Sequence, residues 1–259
     1  MIQMKPPISR MGGKSKLRKI ITEKIPKDHL CYVEPFFGAG WIYFEKEESK
    51  VEVINDKDRE LINLFRMIKE HPGEVERLLD FEFISRDKFK QYKSIDVEGL
   101  TEIQRAVRFL YIISNSFASR GVSFGYTAIG KPCQKIYDVQ NELMLLRDRL
   151  KNTIVENKDA IEIIKKYDRL TTFYFCDPPY LGTSGYGAEA KFTLEDHIRL
   201  RDTLSNISGK FLLTINDCEE IRKLYKDFHI QEVMVHYSVS RQQAARKEYG
   251  ELMITNYEN

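Results

Sequence analysis

Apolar residues come at two rhythms along this chain, and the change of rhythm divides it. Leu17, Ile20, Ile21 and Ile25 fall at helical intervals among lysines, and Pro26 ends the segment. Residues 31–33 predict a short strand entering a glycine-containing turn, and residues 41–46 predict the start of a helix. Residues 51–54 predict a second strand that ends at Asn55 and Asp56. Leu61, Leu64, Phe65 and Ile68 mark a helix that stops near His71, Pro72 and Gly73. Strand, turn, helix, strand, helix is the opening of a parallel sheet with helical crossovers.

From about residue 72 to residue 152 the buried-strand runs disappear. Ile103, Ala106, Val107, Leu110 and Tyr111 line one side of a helix that Thr101 and Gln104 can open with a capping box. Residues 137–150 predict another helix, and the glycine- and serine-rich stretch 114–135 between the two predicts a loop or short hairpin. Strand rhythm resumes at 153–155, followed by a short helix over 160–167 and a strong strand over 172–176. Thr193 to Asp196 can cap a helix bearing Ile198, Arg201 and Leu204. Residues 211–215 predict a strand, 219–225 a helix, and 230–237 with 252–255 a final strand pair joined by a polar loop. The expected fold class is α/β: a mixed, mainly parallel sheet with helices on both faces, built from 1–71 and 153–259. A small, largely helical insert over 72–152 interrupts it.

A chain of 259 residues is long enough for one such domain with a smaller companion. Cys31, Cys133, Cys176 and Cys218 show no paired short spacing, which predicts a reduced, cytoplasmic protein without a zinc site. No run reaches the apolar length of a bilayer span, and the N-terminus lacks the apolar core of a signal peptide. The 41 Lys and Arg nearly balance the 39 Asp and Glu, but the balance is uneven. Residues 1–30 hold eight basic residues against two acidic ones, and residues 105–140 hold five against one. Local excesses of that kind attract a polyanion, and equally make an ordinary solvated surface.

In VEPFFGAG, residues 33–40, Gly38 and Gly40 sit between a strand and a helix, where backbone amides can approach a ligand. Glu34 and Pro35 disfavour a pyrophosphate there, Phe36 and Phe37 offer a wall, and Asp56 closes the next strand where an acid reaches ribose hydroxyls. These residues predict a bound nucleoside: NAD, a nucleotide or S-adenosylmethionine. The Gly12, Gly13, Lys14 sequence lacks the preceding strand and glycine spacing of a phosphate-binding loop. Asp159 either faces the ligand's adenine or caps a helix.

The stretch FCDPPY, residues 175–180, delivers Asp177 to the carboxyl edge of the sheet. Pro178 and Pro179 stiffen the backbone and remove its amide donors, leaving carbonyls to accept. Tyr180 adds a flat face. Asp177 and the Pro178 carbonyl can take the two hydrogens of an exocyclic amine while Tyr180 stacks on the ring. Two acceptors at that nitrogen favour its attack on an in-line methyl group, by alignment and electrostatics and without a metal.

With VEPFFGAG at 33–40, INDKDRELINLFR at 54–66, FCDPPY at 175–180, ELMITNY at 251–257 and the N-terminal ISRMGGKSKL, the chain resembles the Dam-like class of DNA adenine methyltransferases over nearly its whole length. The resemblance implies a Rossmann-like fold, with the insert as target-recognition domain. It implies methylation of adenine N6 in double-stranded DNA, by base flipping, with S-adenosylmethionine as donor. It gives catalysis to Asp177, Pro178, Pro179 and Tyr180. It gives cofactor binding to Arg10, Met11, Gly12, Lys14, Glu34, Pro35, Phe36, Gly38, Gly40, Asp56, Asp159 and Asp177. The chain departs from the family pattern in having Arg10 and Met11 before the glycine pair, Ala160 after Asp159, and no long asparagine–arginine segment in the insert.

For DNA the candidates are Lys14, Asn115, Ser116, Ser119, Arg120, Lys131, Arg241 and Arg246. The plainer role of the insert's polar residues is to satisfy their own loop. The expected protein works as a monomer or weak dimer in the cytoplasm of a bacterial cell or phage-infected host, away from membranes and with no required protein partner. An amine methyltransferase acting on RNA or protein, and an inactive DNA-binding relative, are the alternative readings.

Overall fold

The computed structural model describes residues 4–10, 12–125, 135–182, 192–235 and 249–258. The chain divides into two compact units. One comprises Ser15–Phe37, Glu47–Asn55 and Lys158–Asn259, and the other Met1–Lys14, Gly38–Lys46 and Asp56–Asn157.

The first of these carries α1 (Arg18–Glu23), β1 (Cys31–Glu34), β2 (Val51–Asn55), α8 (Ala160–Tyr167), β4 (Thr172–Cys176), α9 (Leu194–Leu204), β5 (Lys210–Asn216), α10 (Glu219–Leu224), β6 (His229–Val235) and β7 (Tyr249–Thr255). Its strands lie in the order β2-β1-β4-β5-β7-β6. The first four are parallel, with Cys31 beside Val51 and Thr172, and Cys176 beside Leu213. β7 runs antiparallel to both β5 and β6, which makes the sheet mixed and mainly parallel.

Strand alternation feeds two cores. Val33, Tyr174, Cys176, Leu213 and Ile254 point to the face covered by Ile163 and Ile164 of α8, Leu200 and Leu204 of α9, and Ile221 of α10. On the other face Tyr32, Phe173 and Tyr257 pack ring to ring, and the Tyr257 hydroxyl donates to the Lys24 carbonyl that closes α1. A strand covered on both sides reads as an unbroken apolar run, which is why all five residues of β4 are buried. The fold is therefore the Rossmann-like α/β arrangement, with helices on both faces of the sheet.

The other unit carries α2 (Trp41–Glu45), α3 (Arg59–Glu70), α4 (Pro72–Leu79), α5 (Arg86–Ser94), α6 (Glu102–Ser114), α7 (Lys135–Leu150) and β3 (Ile154–Glu156). Residues 72–152 lie wholly within it. The Thr101 and Gln104 capping box forms as expected, and α6 buries nine of its residues. Pro72 does more than stop α3: it occupies the first turn of α4, where its missing N–H costs nothing. Arg105 and Arg108 are not surface charges. Both pair with Glu60 of α3, so two of the basic residues in the 105–140 stretch hold helices together. Among the described residues no helix is long and apolar enough to cross a membrane.

Candidate active site at the strand ends

β1 and β4 are neighbours, while β2 lies on the outer side of β1 and β5 on the outer side of β4. The strand order reverses between them, and in open α/β sheets ligands bind at the carboxyl ends of such a pair. β1 ends at Glu34, and Asp177 directly follows the last residue of β4. Glu34 is 2% exposed, and its Oε2 accepts from the Tyr32 hydroxyl at 2.8 Å. Asp177 is half-buried, and its Oδ1 accepts from the Thr214 hydroxyl of β5 at 2.9 Å. Burial raises the Cys176 thiol far above its usual range, and the charges of Asp177 and Glu34 push the same way.

Pro178 is buried, and Pro179 and Tyr180 are half-buried. Asn216 grips the turn from β5: its Oδ1 accepts from Leu181 N at 3.1 Å and its Nδ2 donates to Leu181 O at 3.3 Å. Thr214 and Asn216 stand two apart on one side of a buried strand. Polar residues at that spacing near the carboxyl end of FLLTIN were the signal for both, and motif reasoning passed over it.

Asn55 stitches the cofactor-side loops together. It is fully buried, donating through Nδ2 to Pro35 O at 2.9 Å and Lys158 O at 3.1 Å, and accepting from Lys158 N at 2.8 Å. The loop after β1 is thereby tied to the residue before Asp159. Asp159 itself caps α8, with Oδ1 accepting from Ile161 N at 2.9 Å. Phe36 is half-buried and meets Phe192 edge-on, ring centres 5.7 Å apart.

The other unit holds the remaining expected cofactor residues. Gly38 and Gly40 take left-handed backbones, φ 53° and 78°, and Gly40 stands at the N-cap of α2. Asp56 clamps this turn: Oδ2 accepts from Gly38 N at 2.8 Å and Oδ1 from Asp58 N at 2.9 Å. Burial pushes its carboxyl up, against the pull of the Arg10 guanidinium and of those two N–H groups. Arg10 pairs with Asp58 and lies 5.6 Å from the centre of the Phe109 ring. Gly12 is left-handed, and an added Cβ at Gly13 would come within 2.8 Å of Trp41 Nε1. Lys14 is 3% exposed, and its Nζ donates to Gly12 O at 3.2 Å.

The DNA candidates divide. Asn115, Ser116 and Ser119 are buried. The Asn115 amide donates to Tyr111 O, and Ser116 Oγ donates to Ile113 O while accepting from Gly121 N. Arg120 is exposed, beside the left-handed, strained Ala118 and Ser119. Met11, Lys131, Arg241 and Arg246 lie outside the described residues.

The donor set distinguishes between ligands. Within the sheet-bearing unit, the buried Glu34 carboxylate beside the half-buried Phe36 ring disfavours a pyrophosphate and suits a cationic partner. The sheet order and the acid-proline-proline-aromatic turn after β4 fit the class of S-adenosylmethionine-dependent methyltransferases. The family model of the D12 class N6 adenine-specific DNA methyltransferase matches residues 11–239, and the chain belongs to that family. It transfers a methyl group from S-adenosylmethionine to adenine N6 in double-stranded DNA, at specific sites.

Curated relatives agree along the whole chain. The type II methyltransferase M1.LlaDCHI of Lactococcus lactis subsp. cremoris is 28% identical, over 100% of this chain and 97% of its own length. The type II methyltransferase M.MjaIII of Methanocaldococcus jannaschii is 27% identical, over 99% and 100%. The DNA adenine methylase of Escherichia coli K12 is 25% identical, over 93% and 91%.

Proposed function

We propose that Asp177, Pro178, Pro179 and Tyr180 hold the flipped target adenine, with the Asp177 carboxylate and the Pro178 carbonyl accepting from its amine and Tyr180 stacking on the ring. The observation that carries this is the Thr214 bond to Asp177 at the point where the strand order reverses. It fixes the plane of the carboxylate before any substrate arrives, and preorganised acceptors are the larger part of such catalysis.

On the cofactor side, Glu34, Pro35, Phe36, Gly38 and Gly40 would take the methionine end, with Arg10, Met11, Gly12 and Lys14 beside it. Asp56 would hold the ribose and Asp159 the adenine. When bound, S-adenosylmethionine supplies an activated methyl group on a positive sulfur. The near-complete burial of Lys14 favours the cofactor half of its expected double role.

Residues 72–152 form the target-recognition insert in this reading, and 1–71 with 153–259 the catalytic part. Asn115, Ser116 and Ser119 shape the insert's loop, while exposed cations meet phosphate. Arg120 is one. Three more, Arg86, Lys90 and Lys93, line one side of α5 around a concavity of about 410 Å³ that also takes in Phe89, Val122 and Phe124. Seven residues of helix span about 10 Å, enough to follow neighbouring phosphates. The protein would work as a monomer or weak dimer in the cytoplasm of a bacterial cell or phage-infected host, with sedimentation velocity as the check on mass.

Asp177→Ala tests the core of the reading. Transfer of labelled methyl to duplex DNA is expected to vanish while the variant still binds duplex. Methylation at the wild-type rate would overturn the assignment.

A further inference from the structure

His197 of α9 belongs to no motif, yet it lies beside the Pro179 backbone of the turn after β4. It is 0% exposed. Its ring meets Phe192 edge-on, with centres 4.6 Å apart and planes at 80°. Phe192 in turn meets Phe36 at 5.7 Å and 88°. Three rings therefore run from the loop after β1 to α9, whose His197 lies near the Pro179 carbonyl of the turn after β4. The Pro179 carbonyl is the imidazole's nearby backbone acceptor, but neither ring nitrogen reaches hydrogen-bond geometry with any partner among the described residues.

A packing role alone does not account for this residue. Phenylalanine or leucine would fill the same space without an orphaned N–H, and unmatched buried polar groups are rare enough to need a reason. The ring is neutral at physiological pH, because burial lowers its pKa to about 4 against the opposing pull of the Asp196 carboxylate and the Pro179 carbonyl. A neutral imidazole always has one N–H to give. Both φ angles of Pro178 and Pro179 are locked by their rings, so anchoring one carbonyl removes much of the rotation left in the turn.

We propose that His197 is a positioning residue for methyl transfer: its ring N–H engages the Pro179 carbonyl when the target base occupies the turn, and the Phe36–Phe192–His197 stack sets the spacing between cofactor loop and base turn. The inference rests on the assignment of Asp177–Tyr180 to the target base.

The test is single-turnover methylation of duplex DNA by His197→Phe, His197→Asn and His197→Gln, with Asp177→Ala alongside. His197→Phe keeps the ring stack and loses the donor, and its rate constant is expected to fall about 10- to 100-fold, the scale of a small misplacement of reacting groups. At neutral pH its duplex affinity should match the wild type and its melting temperature should be no lower. The amide variants each place a donor near one ring nitrogen, and one of them should recover most of the rate. A His197→Phe rate within threefold of wild type overturns the proposal. So do two folded amide variants as slow as His197→Phe, or unfolding of all three, which would make the residue structural. If Asp177→Ala keeps its activity, the base-turn assignment fails, whatever the His197 variants do.

Discussion

Thr214 and Asp177, 37 residues apart in the chain, meet through one hydrogen bond, hydroxyl to Oδ1 at 2.9 Å. This hold on the acid comes from a neighbouring strand, so it depends on the pairing of β4 with β5. Thr214→Val keeps the shape and deletes the donor. A hydrogen bond to a charged group is worth roughly 1.5–3 kcal/mol, so methyl transfer should slow about tenfold or more, with cofactor affinity unchanged. Thr214→Ser should restore the rate. Stopped-flow or quench-flow single turnovers decide this, and an unaffected Thr214→Val would remove Thr214 from the account.

Asn55→Ala should weaken the fold and the cofactor site together. It strands the buried Pro35 carbonyl and removes two part-buried bonds to the backbone of the exposed Lys158. A buried unmatched group costs about 1–3 kcal/mol, so urea melts should show a loss within that range. Calorimetric titration should show weaker S-adenosylmethionine binding even where the variant is fully folded.

The three α5 cations predict a salt signature. If Arg86, Lys90 and Lys93 each neutralise a phosphate, replacing all three with alanine flattens the slope of log K against log salt by about 0.9 for each phosphate no longer neutralised. Fluorescence anisotropy across a salt series measures it. An unchanged slope would move the DNA face away from α5, while wild type without duplex binding would count against the insert's role altogether.

His197 predicts a pH dependence of stability. The folded chain holds its imidazole neutral down to about 4, whereas the unfolded chain titrates near 6.5. Between those values the unfolded state binds more protons, so the stabilisation is complete above 6.5 and drains as pH falls toward 4. Urea melts of wild type and His197→Phe over this window should differ in slope, the variant being less sensitive. Parallel slopes would mean that the ring gains a proton without unfolding.

Much of this was legible in residue order. The strand over Thr172–Cys176 and the helix over Ala160–Tyr167 stand where the pattern put them, because both are strongly periodic and bounded by turn residues. α5 was invisible, since RDKFKQYKS buries only Phe89 and shows no apolar stripe. α9 formed with the expected Thr193 cap and buries Leu204. Ile198 is 37% exposed and His197 turns inward with Leu200 and Leu204, the side that packs into the core of the sheet. Motif spacing marked Asp177 and Glu34. The polar alternation of Thr214 and Asn216 in β5 flags them as unusual, but what they and Asn55 hold exists only once strands and loops distant in sequence lie side by side.

Cys176 directly precedes Asp177, a position where a reactive thiol would be a chemical weak point. Its complete burial and strongly raised thiol pKa remove that weakness. Alkylating agents and peroxide attack thiolates, and this sulfur offers neither charge nor access. The native enzyme should therefore tolerate iodoacetamide at this position, and labelling of Cys176 becomes a clean report of the sheet coming apart.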